Sequence, residues 1–90
     1  MYEDKEGRVN GIYENLSCNL RFLRMLKGFS QERVSEMVHM SRKHYCSCEN
    51  GKYIPNLVTI CILADIYGVS IDSLISSEIG YEFVDPKTKK

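Results

Sequence analysis

The chain contains no tryptophan and carries no net charge. It also has no apolar run approaching the ~20 residues that a bilayer-spanning helix requires, so a transmembrane reading is excluded. The first residues, Met1-Tyr-Glu-Asp-Lys-Glu-Gly-Arg8, lack the apolar stretch of a secretory signal, and a cytoplasmic location is expected. Cysteine pairs spaced for zinc are missing too. The four cysteines, Cys18, Cys46, Cys48 and Cys61, include no C-x-x-C element, and structural zinc sites usually need one. Without an export signal a disulfide framework is not expected either, so the thiols are read as reduced and mostly structural. No metal or cofactor is implied. Zero net charge, taken alone, argues against a polyanionic partner.

What the chain does have is the composition of one small folded domain: 90 residues, 43% of them hydrophobic and 27% charged. Its charge is unevenly distributed. Residues 20 to 53 hold Arg21, Arg24, Lys27, Arg33, Arg42, Lys43 and Lys52 against Glu32, Glu36 and Glu49, an excess of four positive charges that the remainder must offset. His39 and His44 lie in the same segment. A solvated mixed-charge surface would account for this excess equally well, so charge by itself decides nothing.

The pattern of apolar residues and breakers is more informative. Leu16, Leu20 and Leu23 share one helical face, and Gly28 ends that helix. Ser30 is an N-cap, with Phe29 and Val34 placed as a hydrophobic staple, for a second helix from Gln31 to about Val38. Ser41 caps a third, from Arg42 to about Asn50, with Met40 and Tyr45 as its staple and Gly51 as its stop. Asn56 caps a fourth, in which Leu57, Ile60, Leu63, Ala64 and Tyr67 are spaced for burial before Gly68. Ser70 caps a short fifth, Ile71 to about Ile75, with Val69 and Leu74 as staple. This grammar predicts an all-α, five-helix domain over residues 15 to 75. Residues 1 to 14 are read as an N-terminal arm, either frayed or turned back at Asn10-Gly11 as a hairpin. Residues 76 to 90 form a C-terminal extension in which Ile79, Tyr81 and Phe83 alternate as a weak strand signal.

Only His39 and Met40 separate the second and third helices, which forces a sharp angle and fits a helix-turn-helix. In that motif the second helix of the pair enters the major groove, where every base pair shows a distinct set of donors and acceptors. On the third helix Tyr45 and Cys48 fall inward, with Cys46 a further candidate for that face. Arg42, Lys43, His44, Ser47 and Asn50 fall on the outer side or the leading edge, beside the cap Ser41, and each can hydrogen-bond. Arg42 or Lys43 suits the O6 and N7 acceptors of guanine, and Ser47 reaches the adjacent base. Gln31 opens the second helix, whose free N–H groups attract a phosphate. Asn50, Lys52 and Tyr53 are candidates for contact with the sugar-phosphate backbone.

The stretch from Leu20 to Pro55 resembles the phage-repressor type of helix-turn-helix domain, of the Cro and XRE kind. The residues that carry the resemblance are Arg24, the Ser30-Gln31 pair, Ser41, the Glu49-Asn50-Gly51 triplet and Pro55, followed by Leu63-Ala64, Tyr67-Gly68-Val69-Ser70 and Leu74. It covers residues 16 to 75. The resemblance implies a lambda-repressor-like five-helix fold, a homodimer on palindromic double-stranded DNA, and a structural ion pair between Arg24 and Glu49. It also implies that Gln31, Arg42, Lys43 and Ser47 are the main DNA-facing residues. Three features depart from the family pattern. His39 replaces a turn glycine, Ser35 replaces a small alanine and so needs a hydrogen-bond partner, and Cys46 and Cys48 flank Ser47 on the reading helix.

The expected function is therefore sequence-specific DNA binding by a transcriptional regulator, of repressor type. The competing reading is a protein-interaction module, an antitoxin or anti-repressor, on the same fold. The polar leading edge of the third helix favours DNA over a protein. An enzyme is not expected, because His39, His44 and the cysteines come with no orienting group or oxyanion donor.

Overall fold

The computed structural model describes residues 8–76, with side chains from residue 11. Five α-helices follow one another: α1 (Arg8–Lys27), α2 (Gln31–Met37), α3 (Arg42–Glu49), α4 (Leu57–Tyr67) and α5 (Ile71–Ser76). Each of the last four starts at the expected cap. Ser30 accepts from the Arg33 N–H, Ser41 from His44, Asn56 from Thr59 and Ser70 from Ser73, at 2.9–3.0 Å. These bonds satisfy amides that a helix start would otherwise leave unpaired.

The helix ends are as regular as the starts. After α1 the Gly28 N–H donates to Met25 and the Phe29 N–H to Arg24. After α3 Gly51 donates to Cys48 and Lys52 to Ser47, and after α4 Gly68 donates to Asp65 and Val69 to Ala64. The paired bonds are those of a Schellman ending, which places one residue in the left-handed region. Between α2 and α3 that residue is His39, at φ 58°, the one described non-glycine residue with positive φ. Its N–H donates to Glu36 and the Met40 N–H to Ser35. Histidine thus keeps the geometry a glycine would adopt freely, with some strain.

The core draws on every helix: Leu16, Leu20 and Leu23, then Val34 and Val38, Tyr45 and Cys48, Leu63, Ala64 and Tyr67, and Leu74. Phe29, Met40 and Val69, the three expected staple residues that precede helices, are partly buried against it. Burial of one such aliphatic side chain stabilises by about 1.5–3 kcal/mol, so the heptad-like spacing of α1 alone accounts for much of its docking. Ser35, buried in α2, finds its partner within its own turn and donates to the Glu32 carbonyl at 2.7 Å.

Three expectations change. Leu57, expected to be buried, is exposed at the start of α4, where the inner face is filled by Leu63, Ala64 and Tyr67. Residues 8–14 belong to α1 rather than to an arm, and Asn10 and Gly11 are helical rather than the tip of a hairpin. A tight Asn-Gly turn needs strands on both sides, whereas here the buried Leu16–Leu20–Leu23 stripe supports a helix that extends back through them. The expected strand at Ile79 to Phe83 lies outside the described residues.

The end of α5 is held by α1. Asn15 Nδ2 donates to the Ile75 carbonyl at 3.0 Å, and the fully buried Asn19 donates to Leu74 at 2.7 Å. The last carbonyls of a helix lack intrahelical partners, and two asparagines from the other end of the chain supply them.

Candidate nucleic-acid interface

Helices α2 and α3 are joined by the tight turn through His39, and their relative placement rests on one carboxylate. Glu49, the last residue of α3, is 1% exposed. Its Oε2 accepts from Arg24 Nε at 2.6 Å, and its Oε1 from Arg24 Nη2 at 3.2 Å and Gln31 Nε2 at 3.1 Å. Its backbone carbonyl accepts from Arg21 Nη2 at 3.0 Å. Arg24 Nη1 also donates to the Phe29 carbonyl at 2.9 Å, at the entry to α2. Glu49 therefore ties α1, α2 and α3 together, and the bidentate guanidinium fixes direction as well as distance. The bond to Glu49 raises the Arg24 pKa further above its usual value.

A second buried contact fixes α3 against α4. The Tyr45 and Tyr67 hydroxyls lie 3.3 Å apart. Burial raises both phenols above their ordinary range, so they are neutral at any physiological pH. Burial also pushes the Cys48 thiol up to about 11, with the neighbouring Glu49 charge adding to the effect. Cys48 is thereby an inert packing group.

The opposite side of α3 is open. Arg42, Lys43, His44 and Asn50 are exposed and Ser47 is half-buried. Gln31, Arg42, Lys43, Cys46 and Ser47 line one open recess between the start of α2 and the face of α3. Of the residues expected to face DNA, four meet in this recess. Ser41 spends its oxygen on the His44 amide and so acts first as a cap. Lys52 and Tyr53 lie beyond the far end of α3, where their N–H groups donate to the Ser47 carbonyl. The Tyr53 ring meets the His44 ring at a centroid distance of 4.0 Å and 57° between planes, so loop and helix are coupled at the surface.

Three features were not foreseen from sequence. Cys46 lines the recess, and its sulfur accepts from Asn50 Nδ2 at 3.5 Å. Gln31 is anchored by the buried carboxylate, which leaves its Oε1 as the free end of the amide. Arg21 holds the last carbonyl of α3; its spacing of three from Arg24 on the same face of α1 was the available signal. Among the described residues no group of three or more His, Cys, Asp or Glu is placed to hold a metal ion. None of the described helices is long and apolar enough to cross a membrane.

The family described as Helix-turn-helix matches residues 20–74, a span that begins within α1 and ends at the buried Leu74 of α5. The chain belongs to the helix-turn-helix family. Its phage-repressor character agrees with two curated relatives. One is the SPbeta prophage-derived uncharacterized HTH-type transcriptional regulator YonR of Bacillus subtilis (strain 168), 39% identical over 56 residues, which cover 62% of this chain and 52% of that protein. The other is the cryptic phage CTXphi transcriptional repressor RstR of Vibrio cholerae, 35% identical over 60 residues, 67% of this chain and 54% of that protein. The chain thus spans about half the length of each. Among solved structures, the restriction-modification controller protein C.AhdI from Aeromonas hydrophila superposes with a TM-score of 0.62 at 29% identity, covering 69% of this chain and 94% of that one. In this helix-turn-helix chain α2 and α3 are the paired helices, and the recess lies on their outer face.

Proposed function

We propose that this helix-turn-helix domain binds double-stranded DNA at specific sequences and regulates transcription, with α3 as the helix that enters the major groove. The observation that carries the reading is the exposed cationic front of α3. Arg42 and Lys43 stand open above a recess, on a helix that the buried Glu49 locks in place. A rigid helix with donors at its leading end is what base recognition requires. Arg42 and Lys43 are assigned to guanine O6 and N7, and Ser47 to a neighbouring base. The free end of Gln31 and the first amides of α2 are assigned to a phosphate. His44, Asn50, Lys52 and Tyr53 lie where they would follow the sugar-phosphate backbone, and Ser41 supports them as a cap.

On this reading the chain acts without a catalytic step, in the cytoplasm, as a homodimer that places two copies of α3 on half-sites about one helical turn apart, roughly 34 Å. The DNA-reading unit lies within residues 15 to 75, with α1 extending it to Arg8. The decisive experiment compares the full chain with Arg42→Ala/Lys43→Ala on DNA selected for binding, by fluorescence anisotropy. Each lost base contact is expected to cost about 1–3 kcal/mol of binding. Unchanged affinity in a folded double variant removes α3 as the reading helix, and failure of the full chain to select any DNA leaves the protein-interaction alternative.

A further inference from the structure

Helix α4 is apolar on two opposite faces. Its inner face buries Leu63, Ala64 and Tyr67 in the core. Its outer face carries Leu57, Val58, Cys61, Ile62 and Asp65, all exposed; Leu57 is 67% and Val58 68% accessible. A helix at a protein surface ordinarily turns a polar face outward, and one that is hydrophobic all round is normally covered on both sides. The sole charge in the eleven residues is Asp65. It sits in the last turn, with no basic residue there to balance it, where the carbonyl end of the helix dipole disfavours an anion. The recess of the reading helix includes no residue of α4.

We propose that the outer face of α4 is the surface on which a second copy of this chain docks, with the two α4 helices antiparallel and crossing near Cys61. The charge pattern selects this occupant and this direction. With Cys61 at the two-fold axis, residues four positions either side come opposite each other, so each Asp65 meets the partner helix at Leu57. That is the positive end of the partner's dipole. The Leu57 and Val58 amides there have no acceptor within the helix, because the Asn56 side chain is engaged with the Thr59 amide. The misplaced carboxylate is thereby neutralised twice, once per copy. A parallel pair would instead set the two Asp65 carboxylates side by side. The contact is isologous, as a closed dimer requires. Two turns of helix hide far less than the ~800 Å² per partner of a standard interface. The dimer is accordingly weak in free solution and strengthened when one DNA molecule presents two adjacent half-sites.

This inference rests on the two-copy part of the proposed function, and it is tested without DNA so that its failure leaves DNA recognition by α3 standing. The full chain is followed by sedimentation equilibrium up to about 1 mM, with circular dichroism to confirm that each variant is folded. A concentration-dependent dimer is expected. Val58→Glu should raise its dissociation constant about a hundredfold or more, because a carboxylate would be buried against an apolar partner. Asp65→Lys should raise it about threefold to tenfold by reversing the charge–dipole pairing. Mild oxidation with diamide should give a cross-linked dimer that Cys61→Ser abolishes. A chain that stays monomeric across this range overturns the proposal, as does a dimer that Val58→Glu leaves intact. A monomer whose melting temperature falls with Val58→Glu also overturns it, since the face is then covered within the chain itself.

Discussion

Replacing Arg24 with methionine isolates the ion pair on which the site depends. The substitution keeps the aliphatic stem but removes three of the bonds around Glu49 and Phe29. The Glu49 side chain is 1% exposed and that of Arg24 15%. The carboxylate would then keep only neutral side-chain partners, Gln31 and the Tyr45 hydroxyl, in a buried position. Breaking a buried pair by removing one partner costs about 3–5 kcal/mol, since the remaining charge is left uncompensated. A domain of this size unfolds with a total of roughly 5–15 kcal/mol, so Arg24→Met is expected to lower the melting temperature by roughly 12–40 °C. Urea and thermal unfolding followed by far-UV circular dichroism give the number directly. The double variant Arg24→Met/Glu49→Leu is the control. With no charge left to strand, it should recover most of the loss, whereas independent contacts would simply add. A cost for Arg24→Met below about 1 kcal/mol, the range of an exposed pair, would refute the reasoning, as would a double variant no more stable than the two single losses summed.

Other outcomes follow from individual residues. His39→Gly should stabilise by about 0.5–1 kcal/mol in urea titration, because glycine holds φ 58° without strain; His39→Val should destabilise. Asn19→Leu should cost about 1–3 kcal/mol, since it orphans the Leu74 carbonyl inside the core. Stability should also fall at alkaline pH. The folded-state pKa of Cys48 is raised from 9.0 to about 11, so its contribution is fully present below pH 9 and is lost as pH rises from 9 through 11. Two units correspond to roughly 3 kcal/mol, and the buried tyrosines add to the fall above pH 10. Cys48→Ala should flatten the urea-midpoint profile over that window; an identical profile in the variant excludes the thiol as the cause.

Local chemistry was easy to read. Ser30, Ser41, Asn56 and Ser70 each announce a helix by a residue type whose oxygen can reach the third amide onward, and Gly28, Gly51 and Gly68 announce the ends by conformational freedom. Those effects act over four residues, which a sequence displays. His39 was legible through the family resemblance, which puts a turn glycine at its position. The spacing of Arg42, Lys43 and Ser47 showed which side chains share a face of α3. It did not show that Gln31 is anchored through Glu49, because that bond spans 18 residues and depends on how α2 crosses α3. The asparagine caps on α5 span 55 and 60 residues and left no local trace. Asn10-Gly11 misled because its turn preference is weak without flanking strands, and the burial of α1 overrode it. The bare outer face of α4 was hidden by its own composition, since Leu57 reads as a core residue until the inner face is seen to be complete without it.

The central claim is that α3 reads duplex DNA with its cationic front. Selection of bound sequences from a random duplex library by the full chain, followed by affinity measurements at several salt concentrations, tests it most directly. The account predicts an enriched, two-fold symmetric site with half-sites about 10 base pairs apart, and an affinity that falls steeply and linearly with salt on logarithmic axes. Absence of any enriched sequence, or enrichment that persists unchanged in Arg42→Ala/Lys43→Ala, would contradict it.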